Sequence, residues 1–244
     1  MTIDVFFSPA GLTKDEIAGR TVFVVDVLRA TTTICAALAN GARSVIPVGS
    51  VEEALKRSQD LGPSETLLAG ERQCRPIEGF SLGNSPREMT ETAIRGRNLI
   101  MTTTNGTRAV LASSGAGAVY LAATANLTLA GEQARSSLAI GTGMVVLCAG
   151  HDNRFGLDDA YVAGRLIMES LGSRPSRRGL SDSALAAVDL ARRYGTDGLR
   201  AFRLSAAGQQ LSALNMDEDV ADAAVPDRYP VLPRLIDRRI VLSS

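Results

Sequence analysis

Up to residue 171, short runs rich in Val, Ile and Leu alternate with longer stretches of helical periodicity, and this alternation restricts the fold more than any other feature of the chain. Segments 3–7, 21–28, 43–48, 66–70, 97–102, 117–122 and 143–149 read as strands, and 31–39, 51–60, 86–94, 105–113, 124–138 and 157–171 as helices. The strand segments are apolar at successive positions, which a strand needs only when both faces of its sheet are covered. The pattern predicts an α/β protein of three layers, with a largely parallel or mixed sheet between helices. No low-complexity linker interrupts the chain, so one compact unit over 1–244 is expected, with closely packed lobes 1–140 and 141–244 as its subdivision. After residue 171 come a Gly/Pro/Ser/Arg-rich turn, "GSRPSRRG", helix-like stretches at 181–193 and about 205–215, and an acidic patch (Asp217, Glu218, Asp219, Asp222) that reads as a solvated helix start. The chain closes on an apolar "RRIVL".

Charge and cysteine content exclude several classes. The 26 basic residues equal the 26 acidic ones, whereas nucleic-acid binding shows as a basic excess or stripe, so no nucleic-acid partner is expected. No apolar run reaches membrane-span length, and "MTIDVFFSPAG" lacks the basic start and apolar core of a signal peptide; the expectation is a cytoplasmic protein without a membrane partner. Cys35, Cys74 and Cys148 are scattered without C-x-x-C spacing, which argues against a disulfide framework or a zinc site. A metal in this chain would be held by oxygen.

Two segments invite a chemical reading because they place hydroxyls where a strand hands over to a helix. In "VVDVLRATTT", residues 24–33, Asp26 and Arg29 precede Thr31, Thr32 and Thr33; in "LIMTTTNGT", residues 99–107, Thr103, Thr104 and Thr107 surround Asn105-Gly106. A helix start offers unpaired N–H groups and the positive end of the helix dipole, a site for an anion such as phosphate, and Arg29 adds a guanidinium fork. Asp26 would repel that anion unless a divalent cation stood between them. The plain alternative is that Asp26 pairs with Arg29 and the threonines cap. At the second cluster Asn105-Gly106 supplies tolerance for a tight or left-handed turn. The two segments echo each other as strand, threonine cluster, helix and strand, through duplication or through the common grammar of βαβ units.

Two loops add polar groups. In "AGERQCRPIEGFSLGNSPREM", 69–89, Glu71 ends an apolar strand, where a second acidic metal ligand would stand, and Arg72, Arg75 and Asn84 follow. Ser85-Pro86 with Glu88 has the form of a capping box. In "VVLCAGHDNRFGLDDAY", 145–161, Asp158 and Asp159 open a helix, suiting metal binding, general-base work or simple dipole complementarity. Cys148 and Arg154 have the C-x5-R spacing of cysteine phosphatases, but Leu147 stands where their histidine is customary, and the two aspartates would oppose a bound dianion. His151, the one histidine, reads as a turn residue. There is no aspartyl-phosphatase D-x-D, no phosphate-binding G-x-x-x-x-G-K-[ST] loop, and no dinucleotide fingerprint in the right order.

Taken together and in order, "DVLRATTTI", "GERQCRPIEGFSLGNSP", "TTTNGT" and "CAGHDNRFGLDDAYVAG", with the tail "DRYPVLPRLIDRRIVL", resemble the 2-phosphosulfolactate phosphatases, the ComB family of coenzyme M biosynthesis. The resemblance implies a magnesium-dependent phosphatase of distinct α/β fold that hydrolyses (R)-2-phospho-3-sulfolactate. Under it, Asp26, Glu71 and Asp158 or Asp159 would hold Mg2+, and Asp26, Arg29 and Asp159 would act in catalysis. Arg29, Thr31, Thr32, Thr33, Asn84, Ser85 and the turn Thr104, Asn105, Gly106, Thr107 would hold phosphate, leaving Arg72 and Arg75 for the substrate's other acidic groups. "LDDA" departs from the Glu-Asp expected in most relatives; Asp158 keeps the charge with a shorter reach. A small phosphorylated acid is the expected partner, with assembly into a homo-oligomer left open. A non-catalytic binding module for such an acid, and a metal-independent cysteine phosphatase using Cys148, are the competing readings.

Overall fold

The computed structural model describes residues 2–62, 64–172 and 179–243, so most of the "GSRPSRRG" turn lies outside the described residues. The chain runs β1 (Ile3–Phe6), α1 (Lys14–Ile17), β2 (Thr21–Val25), α2 (Ala30–Ala39), β3 (Ser44–Pro47), α3 (Val51–Leu61), β4 (Thr66–Arg72) and β5 (Arg75–Pro76). It continues through α4 (Glu91–Ile94), β6 (Asn98–Thr102), α5 (Gly106–Ala112), β7 (Ala118–Ala122), α6 (Leu127–Ala139), β8 (Met144–Cys148), α7 (Leu157–Leu171) and α8 (Asp182–Tyr194). It ends with α9 (Gly198–Leu204), α10 (Ala206–Ala213), α11 (Asp217–Ala223), β9 (Pro233–Ile236) and β10 (Arg239–Leu242). Every residue of β2, β3, β6 and β8 is buried, which accounts for their unbroken apolar sequences.

Three of the expected helices differ from the sequence reading. The stretch 86–94 divides into a 3-10 turn at Pro86–Glu88 and α4, because Thr90 is extended and starts the second piece. The Glu88 carboxylate accepts the Gly83 N–H instead of closing a box on Ser85. Residues 124–138 begin with a 3-10 turn at Thr124–Asn126 before α6. The stretch near 205–215 contains α10, and Ser205 ends α9 and caps α10 by accepting the Gly208 N–H.

Among the described residues the strands form one ten-stranded sheet in the order β1-β8-β2-β7-β9-β10-β3-β6-β4-β5. It has two parallel blocks, β1-β8-β2-β7 and β3-β6-β4. The β9–β10 hairpin joins them, with antiparallel pairs to β7 through Tyr120 and Arg234 and to β3 through Val45 and Ile240. Three successive antiparallel steps mean that the second block runs opposite to the first. The echoed segments are the crossings between blocks: β2-α2-β3 carries the chain one way and β6-α5-β7 carries it back. The sheet is covered on both faces. Val22 and Val24 of β2 pack with Ile34 and Leu38 of α2 and Val110 of α5, while Phe23 and Val25 pack with Leu138 of α6, Leu166 of α7 and Val188 of α8. Ile46 and Ile100 meet Ala54 of α3. No helix among the described residues is long and apolar enough to cross a membrane.

The hairpin touches each block through few backbone pairs, so its hold on the halves rests largely on side-chain burial, above all at Ile240, fully buried in the core of the α2 face. Ile240→Ala is expected to lose about 2–5 kcal/mol of stability in denaturant titration, the range for a large-to-small change in a core; a loss near zero would show that the hairpin does not join the blocks.

Candidate active site

Thr31, Thr32, Thr103 and Thr107 fasten their own turns, while Thr33 and Thr104 reach to the 69–89 loop. Thr31 Oγ1 donates to the Asp26 carbonyl at 2.9 Å and accepts the Asp26 N–H at 3.2 Å, Thr32 Oγ1 donates to the Val27 carbonyl at 2.8 Å, and Thr33 Oγ1 donates to the Asn84 carbonyl at 2.9 Å. In the second turn Thr103 Oγ1 accepts the Thr107 N–H at 3.0 Å, and Thr107 Oγ1 donates to the Thr103 carbonyl at 3.0 Å and accepts the Thr103 N–H at 3.1 Å. These hydroxyls satisfy buried backbone groups at the strand-to-helix transition. Thr31, Thr32 and Thr107 therefore stand behind the cavity wall and do not present donors to a phosphate, contrary to the expectation.

The two turns meet at Gly106. A Cβ on this residue would collide with Asp26 Oδ2 and the Ala30 methyl. Glycine is required here for close approach of two helix starts; of the tight or left-handed turn the sequence allowed, the tight one is found, with neither Asn105 nor Gly106 left-handed. The Asp26 carboxylate covers the start of α2, its Oδ1 accepting the Ala30 N–H at 3.3 Å.

Asp26, Arg29, Glu71, Arg75, Asn84, Thr104, Asn105 and His151 face a common cavity of about 440 Å³. Glu71 is held by three donors: Thr104 N–H to Oε1 at 2.7 Å, and Cys74 N–H and the Thr104 hydroxyl to Oε2 at 2.8 and 3.2 Å. Arg29 does not pair with Asp26. Its Nη1 donates to Asp219 Oδ2 at 2.7 Å and its Nη2 to the Cys74 carbonyl at 3.0 Å, with both charged side chains buried. The hairpin tip Gln73-Cys74, left-handed at both residues, is thus latched between Glu71 and Arg29.

The other expected residues fall in different places. Arg72 is absent from the cavity wall: it donates to the Glu71 carbonyl at 2.7 Å and to Thr102 Oγ1 at 3.0 Å. Arg75 is exposed on the wall and, among the described residues, has no partner. Asn84 is buried with its Oδ1 unbonded. Ser85 faces a smaller neighbouring cavity of about 190 Å³ and donates to Asp219 Oδ1 at 2.6 Å. Asp159 joins two turns, accepting the Val27 N–H at 2.9 Å and the Gly150 N–H at 3.0 Å.

Asp219 and Asp222 went unrecognised in the sequence. Asp217 and Glu218 of the patch are solvated as read, but Asp219 and Asp222 lie on the inward face of α11, where Asp219 holds Arg29 and Asp222 pairs with Arg87 and Arg228 at 3.0 and 3.1 Å. Alternation of charge with Val220 and Ala223, both buried, was the available signal.

Electrostatically the site is an acidic well. Burial, then the Asp158 and Glu71 charges, push the Asp26 carboxyl up to about 7, against the pull of the Ala30 N–H and Arg29. Burial raises Asp158 to about 6, with its own and the Asp159 N–H, His151 and Ser205 opposing, and Asp159 is raised by burial, Asp158 and Asp26. Crowded carboxylates of this kind are relieved by a cation. Among the described residues no three His, Cys, Asp or Glu side chains form a ready cage, which leaves the arrangement suited to an ion that keeps waters and uses one or two carboxylates. Cys148 is fully buried in the core, and burial together with Asp159 and Asp158 raises its thiol well above the ordinary range. A nucleophilic thiolate there is disfavoured.

A profile of the 2-phosphosulpholactate phosphatase family matches residues 6–238. A protein of Symbiobacterium thermophilum named "Probable 2-phosphosulfolactate phosphatase" is 40% identical over 93% of this chain and 96% of its own length. Proteins with the same name from Thermotoga petrophila and Clostridium acetobutylicum are 33% identical over 99% of both chains and 37% identical over 77% of both.

The raised Asp26 carboxyl has a testable sign. An unfolded aspartate titrates near 3.9, so between that value and about 7 the folded chain holds the extra proton, and ionising Asp26 lowers stability as pH rises. In EDTA, Asp26→Asn should therefore be more stable than wild type by a margin that grows from pH 5 to pH 8 in melting-temperature measurements. A variant that loses stability, increasingly so at high pH, would show that Asp26 is a favourable partner in an ion pair.

Proposed function

Because this chain belongs to the 2-phosphosulpholactate phosphatase family, and is a phosphoric monoester hydrolase, we propose that it hydrolyses (R)-2-phospho-3-sulfolactate to 3-sulfolactate and phosphate with Mg2+ as cofactor. The observation that carries this reading is the pairing, in one small cavity, of an acidic well with a guanidinium at its wall, that of Arg75, which has no partner among the described residues. The volume, about 440 Å³, suits a ligand of a few heavy atoms more readily than a polymer. A substrate with a phosphate and two further acidic groups needs positive charge at two places, which a cation at the carboxylates and Arg75 provide.

The donor set fits magnesium: Asp26, whose Oδ2 accepts no hydrogen bond among the described residues, and Glu71, both on the cavity wall, are the ligands this reading assigns, and Asp158, buried in the first turn of α7 and off that wall, adds negative charge beside them. Bound there, the ion supplies charge for the oxygens of a phosphoryl group. Glu71 is oriented by the Thr104 and Cys74 donors, and Asp159 ties the Asp26 turn to the loop that carries His151. Asn84, with a buried unbonded oxygen, and Asn105 line the cavity as polar contacts for substrate. Arg75 takes a sulfonate or carboxylate.

Phosphate release from (R)-2-phospho-3-sulfolactate should vanish on dialysis against EDTA and return with magnesium; undiminished release from metal-free enzyme would contradict the reading. Arg75→Ala should weaken binding of this ester by about 1.5–3 kcal/mol, the scale of a charged hydrogen bond, and bind 4-nitrophenyl phosphate with a smaller loss. Arg72→Ala should not discriminate between the two esters. Equal losses on both for Arg75→Ala would move that arginine to the phosphate.

A further inference from the structure

An alkyl phosphate poses a problem that the groups assigned so far do not solve, since its departing oxygen is a strongly basic alkoxide that needs a proton as it leaves. Among the side chains at the cavity wall, Glu71 accepts three hydrogen bonds and is an acceptor. Arginine does not release its proton, and Arg29 is further bound to Asp219 and Cys74. Asp26 is taken by the cation. Cys74 has its thiol raised by burial and is a weak donor.

His151 remains. Its backbone is fixed by a tight turn in which the His151 N–H donates to the Arg154 carbonyl at 3.1 Å and the Arg154 N–H to the His151 carbonyl at 2.9 Å. The turn is tied to the body where Ser8 Oγ donates to the Asn153 carbonyl at 3.1 Å and Arg108 to Asn153 Oδ1 at 3.0 Å. The imidazole is 33% exposed, stands on the cavity wall, and has its Nε2 3.8 Å from Asp152 Oδ2. It shares that wall with Asp26 and Glu71, so the ring borders the acidic well.

Resting on the phosphatase reading, we propose that His151 is a catalytic residue, the acid that protonates the departing ester oxygen. The bond between phosphorus and that oxygen breaks with its electron pair on oxygen, which takes the imidazolium proton and leaves as the alcohol. The oxygen of a water molecule forms the new bond to phosphorus and carries both its protons into dihydrogen phosphate, one of which returns to the imidazole.

The test exploits leaving-group basicity. His151→Gln keeps the backbone bonds of the turn, and its melting temperature should match wild type. With magnesium supplied, turnover of (R)-2-phospho-3-sulfolactate should fall about 100-fold or more, while turnover of 4-nitrophenyl phosphate, whose phenolate leaves without a proton, should stay within about five-fold, since general acid catalysis contributes on the order of 10²–10⁴ only where a proton is needed. Equal losses on the two esters, or no loss on either, would overturn the role while leaving the phosphatase reading intact. A wild-type enzyme that fails to hydrolyse the alkyl ester would overturn the substrate reading and with it the donor proposed for that ester.

Discussion

The architecture of the site depends on one close approach, that of Gly106 at the start of α5 to Asp26 and Ala30 at the start of α2. The two helices belong to crossings that run between opposed blocks of the sheet, and only a residue without a side chain lets their first turns touch. That contact brings the carboxylate at the end of β2 beside the polar turn that ends β6. Glu71 then joins through Thr104, the neighbour of the same turn. The hydroxyl-rich sequences at both transitions are the price of this geometry, since each turn buries backbone groups far from water and threonine can bond them locally.

A second constraint comes from the C-terminal helices. Arg29 sits on the cavity wall, yet its charge is answered by Asp219 of α11, and Ser85 and Arg87 are drawn to the same helix. A buried ion pair adds little net stability compared with apolar packing, but breaking one side is costly. Its effect here is positional. It locks α11, the β4–β5 tip and the α2 turn into one wall, so the site is built from segments distant in the chain.

Much of the fold was legible because buried parallel strands must be apolar at every position, and β2, β3, β6 and β8 announce themselves that way. The β9–β10 hairpin was not, because "RRIVL" owes its place to Val45, a partner no local pattern names. At the site, the positions of Asp26 and Glu71 at strand ends were readable, while the use of the threonines was not: a hydroxyl that binds backbone and one that binds phosphate look alike in sequence. Arg72 and Arg75 differ only in where their guanidinium groups reach, and that is set by Thr102 on a neighbouring strand. The burial of Asp219 follows from Arg29, and neither residue carries a mark of the other.

The most direct test of the central claim, that the site exists because two helix starts touch, is the turnover and fold of Gly106→Ala. The added methyl must push Asp26 and Ala30 away at a cost of about 1–3 kcal/mol, typical of overpacking. The account predicts a folded variant with unchanged far-ultraviolet circular dichroism, a lowered melting temperature, and magnesium-dependent phosphate release reduced about 100-fold or more, as expected when reacting groups are misplaced by an ångström. A folded variant with wild-type turnover and magnesium dependence would contradict it.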